Sequence, residues 1–316
     1  MRGSSRLSWP AWLIIIGAVL TLPAIVGTAL AIGARSLDAT AFEQVFSARP
    51  GLALLALVAV GGGLIFLIGL FAYVAVGSSS RLRAERGYGT VGTILACVAV
   101  AFFVGTLIPL PVLLPIAQQH PGNPNFVTPG ALVLSAVALD AGLIGVLYVR
   151  IIHPGVLSWR QIGLVVGPWR VRLLQGVGVG VLTIVGSLLI AAILEHFGVN
   201  QNQADLWAGM QGATAPQLLG VYLATAVIAP ACEETFFRGY IFTAASRTYG
   251  VVPALVLSSL VFAVAHVNLD AFLPILLIGA IFAVTYWKTG SLAPSMIAHF
   301  LNNTLFFVLV VFFGSS

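Results

Sequence analysis

The chain has 316 residues, of which 59% are hydrophobic and 7% are charged, with a formal net charge of +5 and a mean hydropathy of +1.07. Soluble domains carry about 25% charged residues, so this composition excludes a water-soluble globular fold. The positive charge does not predict nucleic-acid binding, because the basic residues are scattered through short loops and form no patch. Cys97 and Cys232 lie inside apolar stretches, which favours buried free thiols over a disulfide or a zinc staple.

Apolar runs recur along the whole chain, and each is close to the roughly 20 residues that a helical membrane span needs. Nine spans are predicted, at residues 11–33, 51–77, 89–117, 127–149, 173–194, 216–242, 251–267, 271–287 and 292–313. A membrane β-barrel is excluded because the runs do not alternate apolar and polar positions. The sequence therefore predicts an all-α, polytopic transmembrane helical bundle of about eight to nine spans, the first of them a retained span and not a cleaved signal peptide.

Two residue types mark how these helices pack and bend. The stretch GVGVGVLTIVG at 176–186 carries glycines at the spacing found where membrane helices approach closely. Pro109, Pro111 and Pro115 are expected to kink or end the third span.

Basic residues are distributed unevenly between alternate loops, with twelve on the side of the N-terminus and two on the other side. The twelve are Arg2, Arg6, Arg81, Arg83, Arg86, Arg150, Arg160, Arg170, Arg172, Arg238, Arg247 and Lys288, and the two are Arg35 and Arg49. This positive-inside bias predicts a multi-pass protein of a bacterial plasma membrane with a cytoplasmic N-terminus.

A basic, tryptophan-containing loop at 150–172 divides the chain into two predicted parts. Residues 1–150 form transmembrane spans without polar motifs, and residues 171–316 carry the intramembrane polar side chains. The polar segment at 195–215 is expected on the outer side, as a loop or a short interfacial helix.

Residues 231–240 read ACEETFFRGY and place three charged side chains inside an apolar span. On a helix, Glu234 and Arg238 share one face at i and i+4 and form a pair, whereas Glu233 lies about 100° away without a countercharge. A charge at the bilayer centre costs about 2.5–3.5 kcal/mol, so such residues predict a functional site. The structural alternative is an ion pair that fixes helix register or a helix end that reaches the cytoplasm.

Two later spans add polar groups at the same helical spacing. Phe262 and His266 share a face in SSLVFAVAH, and His299 and Asn303 share one in IAHFLNN. A glutamate without a countercharge is suited to general-base work on a water that a histidine shares, and a second histidine with an asparagine offers donors for an oxyanion. This pattern favours water attack on an amide. Alternatively, Glu233, His266 and His299 hold zinc with an open position for water.

Other protease signatures are absent from the sequence. There is no HExxH motif, no serine nucleophile motif around Ser291 and Ser295, and no pair of intramembrane aspartates. Asp140 is alone in its span and is predicted to be a buried hydrogen-bonding carboxylate, with an accessory proton site as the alternative.

The ordered motifs Glu233-Glu234-x-x-x-Arg238, Phe262-x-x-x-His266 and His299-x-x-x-Asn303 resemble those of the CPBP family of intramembrane proteases. This family contains the CAAX proteases, the bacteriocin-processing proteins and the type II CAAX prenyl endopeptidases. The resemblance covers roughly residues 215–310.

The resemblance implies an intramembrane endopeptidase that acts on lipidated or membrane-associated peptides and proteins within the lipid bilayer. It implies that Glu233 and His266 activate water, that His299 and Asn303 stabilise the oxyanion, that Glu234 and Arg238 form a structural pair, and that Phe262 packs the site. The family is often described as metalloproteases, but a metal-free reaction without cofactor is favoured, with zinc as the alternative. The alternative function is a non-catalytic membrane module, either an immunity or scaffold protein or a proton or ion pathway. No pattern specifies an oligomeric state.

Overall fold

A computed structural model of the chain describes residues 9–32, 50–77, 87–119, 126–165, 167–198, 210 and 212–313. Every regular element within these residues is helical, and they contain no strand. The helices are α1 (Trp9–Ile32), α2 (Pro50–Gly77), α3 (Val91–Leu107), α4 (Leu110–Gln119), α5 (Pro129–Leu147), α6 (Trp169–His196), α7 (Ala215–Tyr249), α8 (Val251–Ala265), α9 (Phe272–Thr289) and α10 (Ala293–Phe313). The predicted all-α, polytopic architecture is confirmed.

The contacts divide the chain into two units, Met1–Ser79 and Ser80–Ser316. In the first unit α1 and α2 pack along each other, and glycines allow a close approach. Gly17 lies against Phe66, and Gly69 lies against Ile14. The division of the chain at residues 150–171 stays a prediction.

In the second unit, α3 packs against α5, and threonine caps begin both helices. The Thr90 hydroxyl accepts from the Thr93 backbone N–H, and the Thr128 hydroxyl accepts from that of Ala131. Such caps satisfy N–H groups that the first helical turn leaves without partners. The predicted break in the third span is confirmed, because α3 and α4 meet at an angle of 56° next to Pro109.

Helix α7 is the central element of the second unit, and two of its segments are π-helical, Leu223–Ile228 and Thr235–Phe242. It begins with a capping box in which Thr214 and Gln217 exchange bonds, and it ends at Gly250, whose φ of 88° disfavours other residues. All eight residues of the second π-helical segment are buried. Segments of this kind are rare and frequently accompany functional sites.

Helices α5, α8 and α10 pack against α7, and α6 packs against α9 and α10. The close packing predicted for the glycine stretch is observed on α6. An added Cβ at Gly176 would lie 2.5 Å from Ile297 Cβ, and one at Gly180 would lie 2.9 Å from Leu301 Cδ1. Small residues thus bring the α6 and α10 backbones together.

Among the described residues, six helices are long and apolar enough to cross a membrane, or seven if the bent pair α3–α4 is one span. Two apolar helical segments, Trp9–Ala24 and Val251–Ala265, are shorter. The chain is therefore a membrane-embedded, multi-span helical protein. Helix α7 has 35 residues, or about 50 Å, and so exceeds the roughly 30 Å hydrocarbon core.

Some predictions fall on positions outside the described residues. These are the basic positions Arg2, Arg6, Arg35, Arg49, Arg81, Arg83 and Arg86, and most of the polar segment 195–215, at 199–209 and 211.

Candidate active site

The predicted site residues come from three helices of the second unit. Glu233 and Glu234 end the α-helical segment Ala229–Glu234 of α7, and Arg238 follows in its second π-helical segment. His266 is the residue after α8, whereas His299 and Asn303 lie one turn apart on α10. Because α10 packs on α7, His299 lies close to Glu233 and Glu234, which precede it by 66 and 65 positions.

The predicted pair of Glu234 and Arg238 is observed, and it is completely buried. Arg238 Nη1 donates to Glu234 Oε1 at 2.7 Å, and Nη2 donates to the Gly279 carbonyl of α9 at 2.9 Å. The guanidinium carbon lies 4.3 Å from the centre of the Phe262 ring and 5.4 Å from that of Phe282. A buried charge is tolerated only when it is paired and hydrogen-bonded. These contacts pair both charges, but Glu234 Oε2 and Arg238 Nε are buried without a hydrogen bond from any described residue.

Glu234 also holds a histidine, which the sequence did not predict. His299 Nδ1 lies 3.1 Å from the same Oε1 atom that Arg238 contacts. A carboxylate paired with a guanidinium accepts hydrogen bonds, so Nδ1 carries the proton that it donates to Glu234. The Glu234 side chain thus fixes both the tautomer and the orientation of the His299 ring.

Glu233 faces the other nitrogen of the same ring. Its Oε2 atom lies 3.8 Å from His299 Nε2, and its side chain is 15% exposed. That oxygen is buried, and no described residue hydrogen-bonds to it. A distance of 3.8 Å is too long for a direct hydrogen bond between the two side chains.

Asp140 on α5 is close enough to Glu233 to interact with it electrostatically. It is 5% exposed, and its Oδ2 atom is buried without a hydrogen bond from any described residue. The expected hydrogen-bonded carboxylate is therefore not observed at this oxygen.

His266 is exposed, and its Nδ1 lies 2.8 Å from the Phe262 carbonyl. Since a carbonyl only accepts, Nδ1 donates, and Nε2 of the neutral ring is left as an acceptor. The Phe262 ring contacts both histidines, with its centre 4.7 Å from that of His266 and 5.8 Å from that of His299. No hydrogen bond or ion pair of the described structure joins His266 to Glu233.

A cavity of about 620 Å³ opens beside these groups, within the range typical of ligand sites. Most of its wall is apolar, from α6, α9 and α10. Its polar side chains are Ser187, Thr225, His266, His299, Asn302 and Asn303. Asn303 Nδ2 donates one hydrogen to the Thr225 carbonyl at 2.9 Å, so its second hydrogen remains available.

The alternative zinc site requires Glu233, His266 and His299 to converge on one point. The described residues contain no group of three histidine, cysteine or acidic side chains that is arranged to hold a metal ion. The Nδ1 atom of each histidine bonds to protein, to Phe262 or to Glu234, and Nε2 of both rings is left without a hydrogen bond from the described residues, so the misfit lies in the arrangement of the three side chains and not in the histidine hydrogen bonds. The observed arrangement does not fit a three-ligand zinc site.

Comparison with protein families identifies the segment that carries these residues. Residues 215–305 match the family model described as Type II CAAX prenyl endopeptidase Rce1-like. This segment is similar to an Rce1-like domain. The domain comprises α7, α8, α9 and the first part of α10, so it contains every predicted site residue. Searches of curated proteins and of solved structures each returned no match.

The Rce1-like domain agrees with the family resemblance of the three sequence motifs. The matched family is described as one of type II CAAX prenyl endopeptidases.

Proposed function

We propose that the chain is an intramembrane endopeptidase that hydrolyses peptide bonds of lipidated or membrane-associated peptides and proteins. The observation that carries this proposal is the position of Glu233. It presents a buried carboxylate oxygen without a hydrogen bond from the described residues, 3.8 Å from His299, in a site whose histidines line an apolar cavity. A desolvated carboxylate is suited to general-base catalysis.

In the proposed reaction, Glu233 and His266 activate the attacking water. The lone pair on His266 Nε2 orients the water, and Glu233 accepts its proton as the oxygen bonds to the scissile carbonyl carbon. The tetrahedral oxyanion collapses, the carbon–nitrogen bond breaks, and the leaving amine takes the proton from Glu233. The products are one new carboxylate and one new amine.

His299 and Asn303 stabilise the oxyanion in this proposal. Asn303 Nδ2 has one uncommitted hydrogen, and His299 Nε2 donates when the ring is protonated. A protonated His299 gives a cluster of two carboxylates and two cations, with Glu233, Glu234 and Arg238 as the other members. Such preorganised donors in a water-poor site stabilise developing charge strongly.

The substrate binds in the 620 Å³ cavity, and its apolar walls suit a lipid chain or a hydrophobic peptide segment. The distribution of arginine and lysine supports a bacterial plasma-membrane location with a cytoplasmic N-terminus. No cofactor is required by this mechanism.

The test is cleavage of three quenched fluorescent peptides by the purified chain in detergent–lipid micelles. They are a farnesylated CAAX peptide, its unmodified twin and a hydrophobic transmembrane peptide. We expect the wild type to cleave at least one of the membrane-associated peptides, and to cleave it equally well with a zinc chelator. We expect Asn303→Leu and His266→Ala each to lower the cleavage rate about a hundredfold to a thousandfold. His196→Ala is the matched control, because His196 is an exposed histidine at the end of α6.

Failure of the wild type to cleave any of the peptides contradicts the proposal and favours the non-catalytic alternative, an immunity, scaffold or ion-pathway protein. Activity that a chelator abolishes and zinc restores contradicts the metal-free mechanism alone.

A further inference from the structure

Asn302 lies beside Asn303 on α10 and lines the same cavity, but the three sequence motifs do not include it. Its Nδ2 atom donates to Thr183 Oγ1 on α6 at 2.7 Å and to the Ala298 carbonyl at 2.7 Å. Both hydrogens of the amide nitrogen are therefore used within the protein. The carbonyl oxygen, Oδ1, is the polar atom of this side chain that remains uncommitted.

The orientation of the Asn302 amide follows from its partners. The Ala298 carbonyl only accepts, and Thr183 directs its single hydroxyl hydrogen to the Val179 and Gly180 carbonyls at 3.0 Å each. A reversed amide would place an oxygen against these acceptors and lose both hydrogen bonds. Nδ2 therefore faces Thr183 and Ala298, which fixes Oδ1 on the other side of the amide group.

Oδ1 is also accessible. Oδ1 has no hydrogen-bond partner among the described residues. The described side-chain atoms that are both buried and unpartnered do not include it, so Oδ1 keeps some accessible surface. Asn302 thus presents a fixed acceptor in a cavity whose walls are otherwise mostly apolar, next to the donor of Asn303.

We propose that Asn302 is a substrate-binding residue whose side-chain carbonyl accepts a hydrogen bond from a backbone N–H of the peptide in the cavity. This inference rests on the proposed function in one respect, since it takes a peptide as the occupant. A peptide N–H that enters an apolar cavity loses its water and requires an acceptor. Hydrocarbon chains of the surrounding lipid carry no such donor, so the contact favours peptides over lipid.

Backbone ester substitution tests this contact from the substrate side, because it replaces one N–H with an oxygen. The probe is the farnesylated CAAX peptide with each amide replaced by an ester in turn. Dissociation constants are measured with Glu233→Gln, which is expected to bind the peptide without cleaving it, and with Glu233→Gln/Asn302→Leu. We expect one ester to weaken binding about tenfold when Asn302 is present and less than twofold when it is absent.

Thr183→Val in the Glu233→Gln background is the structural control. It removes one anchor of the amide but leaves Oδ1 in the cavity, so the ester should still weaken binding by at least threefold. Each ratio compares two peptides on one protein, and a general loss of stability therefore cancels.

The role of Asn302 is overturned if the ester weakens binding equally with and without Asn302. It is also overturned if no ester, at any position, weakens binding. Wild-type cleavage, measured in parallel, separates this outcome from failure of the proposed function. If an ester weakens binding but the wild type cleaves no peptide, hydrolysis is refuted and the role of Asn302 is supported. If the wild type cleaves a peptide but no ester weakens binding, hydrolysis is supported and the role of Asn302 is refuted.

Discussion

The buried pair of Glu234 and Arg238 makes a prediction in which stability and activity separate. Arg238→Met and Glu234→Leu each leave one charge without its partner in a fully buried place. Removal of one member of such a pair typically costs about 3–5 kcal/mol, because the remaining charge stays buried and uncompensated. We expect each single variant to lose about that much free energy of unfolding.

The double variant, Glu234→Leu/Arg238→Met, leaves no orphaned charge of this pair, and apolar side chains replace both groups. The double variant still loses two hydrogen bonds, the one donated to the Gly279 carbonyl and the one accepted from His299 Nδ1. Each unpaired buried polar group costs about 1–3 kcal/mol, so the two groups give an expected total loss of about 2–6 kcal/mol. This range lies below the roughly 6–10 kcal/mol obtained by adding the two single variants.

Cleavage should not recover with stability in the double variant. Glu234 accepts the proton of His299 Nδ1 and so sets the tautomer and orientation of that ring. Without this acceptor, we expect the double variant to lose about a hundredfold in the rate of peptide cleavage.

Two measurements check these expectations, equilibrium unfolding in mixed detergent micelles and cleavage of the fluorescent peptides. Glu195→Gln on α6 is the control, since Glu195 is exposed and its substitution should change stability by less than about 0.5 kcal/mol. Additive losses in the double variant refute the reasoning about charge compensation. Full activity in the double variant refutes the role of Glu234 in orienting His299.

Two further predictions concern packing and backbone conformation. Gly176→Ala should destabilise the protein by about 1–3 kcal/mol, because its Cβ would lie 2.5 Å from Ile297 Cβ. Gly178→Ala is the control, because its Cβ would meet open space, and it should be neutral or stabilise α6 by up to about 1 kcal/mol. Equal effects in thermal unfolding contradict the close α6–α10 approach. Val267→Gly should leave stability unchanged or raise it by up to about 1 kcal/mol, because Val267 is 88% exposed and has a φ of 49°, a strained value for a β-branched residue. A loss above 1 kcal/mol in the same measurement contradicts this interpretation.

The helices were largely predictable from sequence because the bilayer imposes long apolar runs on any spanning segment. The ends of the helices were harder to predict from the sequence. The predicted span at 216–242 continues as helix to Tyr249, since the polar residues after 242 still form helix outside the apolar run. Hydropathy reports the apolar length, whereas Gly250 with its φ of 88° marks the end of α7.

Within the site, local spacing predicted the contacts of one helix but not those between helices. The pairing of Glu234 with Arg238 follows from their separation of four residues. The contact of Glu234 with His299 joins residues 65 positions apart and depends on how α10 packs against α7. The role of Asn302 had one sequence signal, a second amide next to Asn303 inside an apolar helix.

Single-turnover cleavage by Glu233→Gln tests the central claim most directly, because Glu233 is the proposed base for the attacking water. The substitution preserves the size of the side chain but removes its ability to accept the proton. Compared with the Glu195→Gln control, we predict a decrease of at least about a hundredfold in the rate of peptide-bond cleavage, with the dissociation constant for the peptide changed less than about threefold. A Glu233→Gln rate within twofold of the control would contradict the account.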